Sequence, residues 1–61
     1  MANLTAKELT ALEDQIGMEQ TLIKKYQAMA GMCDDTQIQQ CFSSFAQTHQ
    51  RHYDTLMTFL Q

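Results

Sequence analysis

The chain has 61 residues, 44% of them hydrophobic, and a net charge of −3. That length supports one domain at most, and its core is thermodynamically marginal without a disulfide, a metal or self-association. The four basic residues, Lys7, Lys24, Lys25 and Arg51, give no electrostatic footprint for nucleic acid or an anionic membrane, and no apolar run reaches the length of a membrane span.

Proline is absent and glycine occurs twice, which suits long helices and argues against a turn-rich sheet protein. Charged residues make up only 18%, and glutamine carries much of the polar surface, as at Gln37, Gln39, Gln40, Gln47 and Gln50. Such a face resists packing against neighbours less than a charged one, although a plain solvated face has the same composition. Cys33 and Cys41 are too few for a disulfide framework and stand too far apart for a thiolate zinc site. Reduced thiols in an intracellular setting are the expectation.

Met1 to Leu4 form a short arm. Thr5-Ala-Lys-Glu8 has the form of a capping box, and Leu4 can staple onto Leu9, so a first helix is predicted over about residues 6–32. Along it Leu9, Leu12, Ile16, Glu19, Ile23, Tyr26, Ala30 and Cys33 recur at steps of three and four, which places them on one helical face. Gly17 suggests a bend or a close helix approach, with a tolerated surface position as the alternative. Gly31 is the natural residue for a left-handed C-terminal stop.

A polar connection, Cys33-Asp34-Asp35, follows, and either aspartate can cap what comes next. A second helix is predicted over about residues 36–60. Its stripe is Ile38, Phe42, Phe45, His49, His52, Leu56 and Phe59, flanked by Cys41, Ala46, Tyr53 and Leu60. The expected architecture is all-α, an antiparallel helical hairpin in a single domain.

Each stripe has polar exceptions at its middle. In a hairpin with a short connection, residues at equal height have numbers with a constant sum, here about 68 for a turn centred on Asp34. Glu19 is then level with His49, and His52 lies one turn away. A charged group is seldom buried unless paired or metal-bound. Two readings fit: a hydrogen-bonded carboxylate and imidazole set that fixes register, or a metal site formed by Glu19, His49 and His52. Glutamate and histidine suit zinc, iron or manganese, and ligand type alone does not choose among them.

The stripes are wider than one hairpin buries, so a second copy is expected to close the apolar groove into a four-helix homodimer. Two glutamates and four histidines would then meet in one core. A mid-helix glutamate followed by a histidine-containing i, i+3 pair resembles half of a ferritin-like bundle. More specifically, Ala2-Asn-Leu-Thr-Ala-Lys-Glu-Leu9, Met18-Glu-Gln, Lys24-Lys25-Tyr26 and Thr48-His-Gln-Arg-His-Tyr53 followed by Leu56 are similar to the small coat-F-type spore coat proteins of spore-forming Firmicutes. That resemblance implies a ferritin-like fold, synthesis in the mother-cell cytoplasm, a place in the spore coat and other coat proteins as partners. His49 stands where the ferritin-like pattern has glutamate, which weakens the case for ferroxidase chemistry, because carboxylates bridge the metals there.

Two functional classes follow. One is a structural or assembly component of the spore coat, not an enzyme; the other is a small metal-binding or di-metal redox protein using the Glu/His layer. No nucleophile elbow or glycine-rich phosphate loop is present.

Overall fold

In the computed structural model, residues 3–61 are described, so the first two residues of the Met1–Leu4 arm lie outside it. The local signals at Thr5 and Asp35 each start a helix. Thr5 Oγ1 accepts from the Glu8 amide at 3.1 Å while the Thr5 amide donates to Glu8 Oε1 at 3.0 Å. This reciprocal box opens α1, Ala6–Met32. The backbone hydrogen bond first, and then the hydroxyl, hold the Glu8 carboxyl below its ordinary value. Asp35 Oδ1 accepts from the Ile38 amide at 3.0 Å and opens α2, Thr36–Thr58. Among the described residues there are two helices and no strand, and the helices pack as an antiparallel hairpin.

The turn departs from expectation in one respect. Gly31 remains helical, no described residue has a positive φ, and Cys33 caps α1 in an extended conformation at φ −88°, ψ 135°. The reason lies in the polar groups around the connection. The Cys33 amide donates to Ala30 O, the Gln39 side chain donates to Cys33 O, and Asp35 satisfies the next helix, so the chain reverses without a left-handed residue. Gly17 likewise causes no close approach: a Cβ there would meet nothing within 4 Å. The surface alternative is the correct one. At the far end α2 stops at Thr58, and Phe59 remains in the right-handed region with its amide shared between Leu56 O and Met57 O.

Packing is centred on α1. Ile16, Glu19 and Ile23 are buried, whereas α2 buries Ala46 alone. Phe42, His49, Tyr53 and Leu56 are half-buried, so the seam on α2 runs 42, 46, 49, 53, 56. This corrects the sequence expectation for four positions. Ile38, Phe45 and Phe59 are 43–48% exposed, and the His52 side chain is 53% exposed. They recur every seven residues along one edge of α2. One neighbouring helix covers only a narrow strip of another, and here the strip falls on the Ala46 side of the stripe.

The consequence is excess surface. A compact chain of this mass exposes roughly 4,000 Å², whereas the hairpin exposes 4642 Å². Among the described residues no side chain is completely buried, and two helices make a single layer where a stable domain ordinarily has two.

Candidate metal centre

Glu19 lies in the middle of α1, between the buried Ile16 and Ile23, on the side of the helix that meets α2. His49 and His52 are one helical turn apart on α2 and face it. Antiparallel register brings the three together: His49 Nδ1 lies 2.7 Å from Glu19 Oε2 and His52 Nδ1 lies 3.4 Å from Glu19 Oε1. The level pairing of Glu19 with His49 holds, and nearer the turn the rings of Tyr26 and Phe42 stack at 5.9 Å.

The two histidine contacts differ in kind. At 2.7 Å the His49 contact is a short charge-assisted hydrogen bond, and since an ionised carboxylate only accepts, Nδ1 of His49 carries the proton. The His52 contact is too long to be a strong hydrogen bond. A third partner completes the carboxylate: Gln15, one turn earlier on α1, donates from Nε2 to Glu19 Oε1 at 3.1 Å. The sequence reading missed Gln15. Its signal was present, because an amide four residues before a carboxylate on the same helix is a recognised pairing.

Electrostatics favour the charged carboxylate. Burial pushes the Glu19 carboxyl up, but hydrogen bonds from His49 and Gln15 and the charges of the two imidazoles outweigh it, so the group lies below the ordinary 4.5. No buried side-chain nitrogen or oxygen among the described residues lacks a partner.

Aromatic side chains fix the other side of the site. The Tyr26 ring stacks on His49 with centroids 5.7 Å apart and planes 11° from parallel, and it meets Phe45 edge-on at 5.3 Å. His49 and His52 are themselves edge to face at 5.4 Å. Tyr26 is half-buried. The imidazole of His49 is thereby clamped between a carboxylate and an aromatic face.

Chemically the arrangement is a donor set. One ligand atom each from Glu19, His49 and His52 lies within 4.8 Å of the others, which is close enough to hold a metal ion. Fit is supported by donor type, since imidazole nitrogen and carboxylate oxygen both bind first-row divalent metals. The set opens on the exposed edge of α2, beside a shallow depression lined by Gln15, Thr55 and Leu56. Cys33 is half-buried and Cys41 exposed, and neither belongs to the cluster. No described helix is long and apolar enough to cross a membrane. Set against known protein families, curated proteins and solved structures, the chain matches none of them.

Proposed function

We propose that this chain is a structural and assembly protein, one half of a two-fold, ferritin-like four-helix bundle whose core holds a divalent metal on Glu19, His49 and His52. The observation that carries the reading is the coincidence of two open features on one edge: the donor set and the exposed row Ile38, Phe45 and Phe59. A second copy placed there buries the row and closes the open side of the donor set with one movement.

Area is consistent with that occupant. The hairpin exposes roughly 600 Å² more than a compact chain of its mass, close to the approximately 800 Å² per partner of a stable interface. Charge does not oppose it, because the edge residues are apolar or imidazole and the chain as a whole carries only −3. Similarity of the Thr48-His-Gln-Arg-His-Tyr53 and Lys24-Lys25-Tyr26 segments to coat-F-type proteins supports a place in the spore coat, with other coat proteins as neighbours.

Native mass spectrometry of the untagged protein, with metal analysis of the same sample, tests the assembly and the centre together. A dimer with one metal per chain is the expected result. A folded monomer at micromolar concentration would overturn the bundle, and a metal-free dimer that takes up none of zinc, iron or manganese would leave a purely structural hairpin pair.

A further inference from the structure

We infer that the centre is built for a borderline divalent ion of the zinc class, held tetrahedrally by two imidazoles and one carboxylate, and against the oxygen-seeking ions manganese and magnesium. The inference rests on the metal reading above and goes beyond it by naming the ion class and the geometry.

Donor chemistry is the first reason. Nitrogen outnumbers carboxylate two to one, and no further Asp, Glu or Cys among the described residues joins the group. Ions that prefer oxygen are held by several carboxylates and carbonyls, whereas imidazole-rich sets suit zinc and its neighbours. The polar positions beside the set are neutral, Gln15 and Thr55.

Gln15 is the second reason. Its amide donates to Glu19 Oε1, so one lone pair of that oxygen is already used. Oε2 faces His49. Each hairpin therefore brings one carboxylate to the layer, and its Oε1 is already hydrogen-bonded by Gln15, which leaves Oε2 and the remaining Oε1 lone pair for a metal once His49 turns to the ion. A pair of oxygen-bridged redox ions is ordinarily held by more carboxylates than the one per hairpin that this layer supplies.

Distance is the third. Ligands about 2.0–2.1 Å from a tetrahedral metal stand roughly 3.3–3.4 Å from each other. His52 Nδ1 and Glu19 Oε1 are 3.4 Å apart, at that spacing and beyond a good hydrogen bond, whereas His49 Nδ1 and Glu19 Oε2, at 2.7 Å, must separate for both to bind one ion. For His49 to ligate through Nδ1, that nitrogen must give up its proton to solvent while Nε2 carries one, so that the ring binds as a neutral imidazole. Three protein donors leave a fourth tetrahedral position on the open edge.

Competition between Zn²⁺ and Mn²⁺ for the intact protein, followed by native mass spectrometry, tests the ion class against His52→Glu and His49→Glu. Zinc is expected to displace manganese from the parent, and each substitution is expected to shift the zinc-to-manganese ratio toward manganese by about tenfold or more. His52 is the more exposed ligand, so His52→Glu keeps the test valid where His49→Glu fails to fold. A ratio unchanged in the folded variants overturns the inference while leaving a metal site in place. Absence of any metal from the parent overturns the metal reading with it. Geometry is tested by loading the parent with Co²⁺: intense visible absorption of a tetrahedral ion is expected, and the weak absorption of an octahedral ion overturns the tetrahedral assignment.

Discussion

The two sides of α2 differ although they belong to one stripe. Toward α1, positions 42, 46, 49, 53 and 56 are buried or half-buried; seven-residue steps through Ile38, Phe45, His52 and Phe59 trace the other side, and it is open. The first side is explained by the hairpin alone. The second has the composition of a core without the covering of one, and one imidazole of the Glu/His layer stands in it. The apolar stripe of α2 is thus wider than its one neighbour in the hairpin covers. Ala46 sits on the covered side, where a small residue permits close approach, and Phe45 next to it reaches the Tyr26 ring of α1 with one edge while remaining 43% exposed.

The largest expected effect separates the two sides directly. Ile23→Ala removes a buried side chain from the α1 seam and should cost about 2–5 kcal/mol, comparable to the whole stability expected at this size. Denaturant unfolding at several protein concentrations measures it. Phe45→Ala removes the ring that meets Tyr26 edge-on as well as exposed surface, so the midpoint should fall, and the share that enters through assembly is read as a shift of its concentration dependence toward weaker association. If Phe45→Ala leaves both unchanged, the open edge is ordinary solvated surface and only the seam matters.

Glu19→Gln comes next. With a metal bound, removal of the charged ligand should abolish the metal-dependent rise in melting temperature expected of the parent. Without metal the change is smaller, because a glutamine carbonyl can still accept from His49 Nδ1. Melting with chelator and with added zinc, on both proteins, gives the four values needed. Equal metal response in parent and variant would remove Glu19 from the ligand set. Falling pH should also release metal as the imidazoles take up protons in its place.

Acid acts on the metal-free protein through Glu19 itself. Its carboxyl lies below the ordinary 4.5 in the folded chain, so the unfolded chain binds the proton more readily. The stabilisation is complete above about 4.5 and is lost as pH falls through the lower folded value. Glu8 shifts the same way through its capping box, so Glu8→Gln is the control. Acid unfolding in that background, with and without Glu19→Gln, isolates the central carboxylate. A curve insensitive to Glu19→Gln would mean that the imidazoles and Gln15 do not favour its charged form.

The axial placement of the site was legible in the sequence, and its rotational placement was not. Capping at Thr5 and Asp35 fixed both helix starts, and a short connection fixed the constant sum that puts Glu19 level with His49. Height along a hairpin depends only on counting. Which third of a broad apolar stripe meets the neighbour depends on side-chain packing, and periodicity is symmetric about the stripe, so Phe45 was placed inside where Ala46 is. Gly31 failed for a different reason: glycine permits a left-handed turn but does not demand one when Gln39 and Asp35 already satisfy the connection. The pairing of Gln15 with Glu19 was overlooked because attention to the apolar face skips its polar margin.

The smallest effect probes the outer side of α1, the region that neither the seam nor the open edge involves. Gly17 is helical, exposed and flanked by Met18, Thr21 and Leu22, with nothing within 4 Å of where a Cβ would be. Alanine is better than glycine in a helix interior by roughly 1 kcal/mol, because glycine loses more backbone freedom on folding. Gly17→Ala should therefore raise stability by up to about that amount, with no change in metal uptake or in the concentration dependence of melting. Exposed Met18 lies beside it and offers the only large apolar side chain there with substantial exposure. A methyl group that destabilised the protein would show that something packs tightly on this outer side in the assembled state. The two-sided description of the hairpin would then have to include a third contact surface.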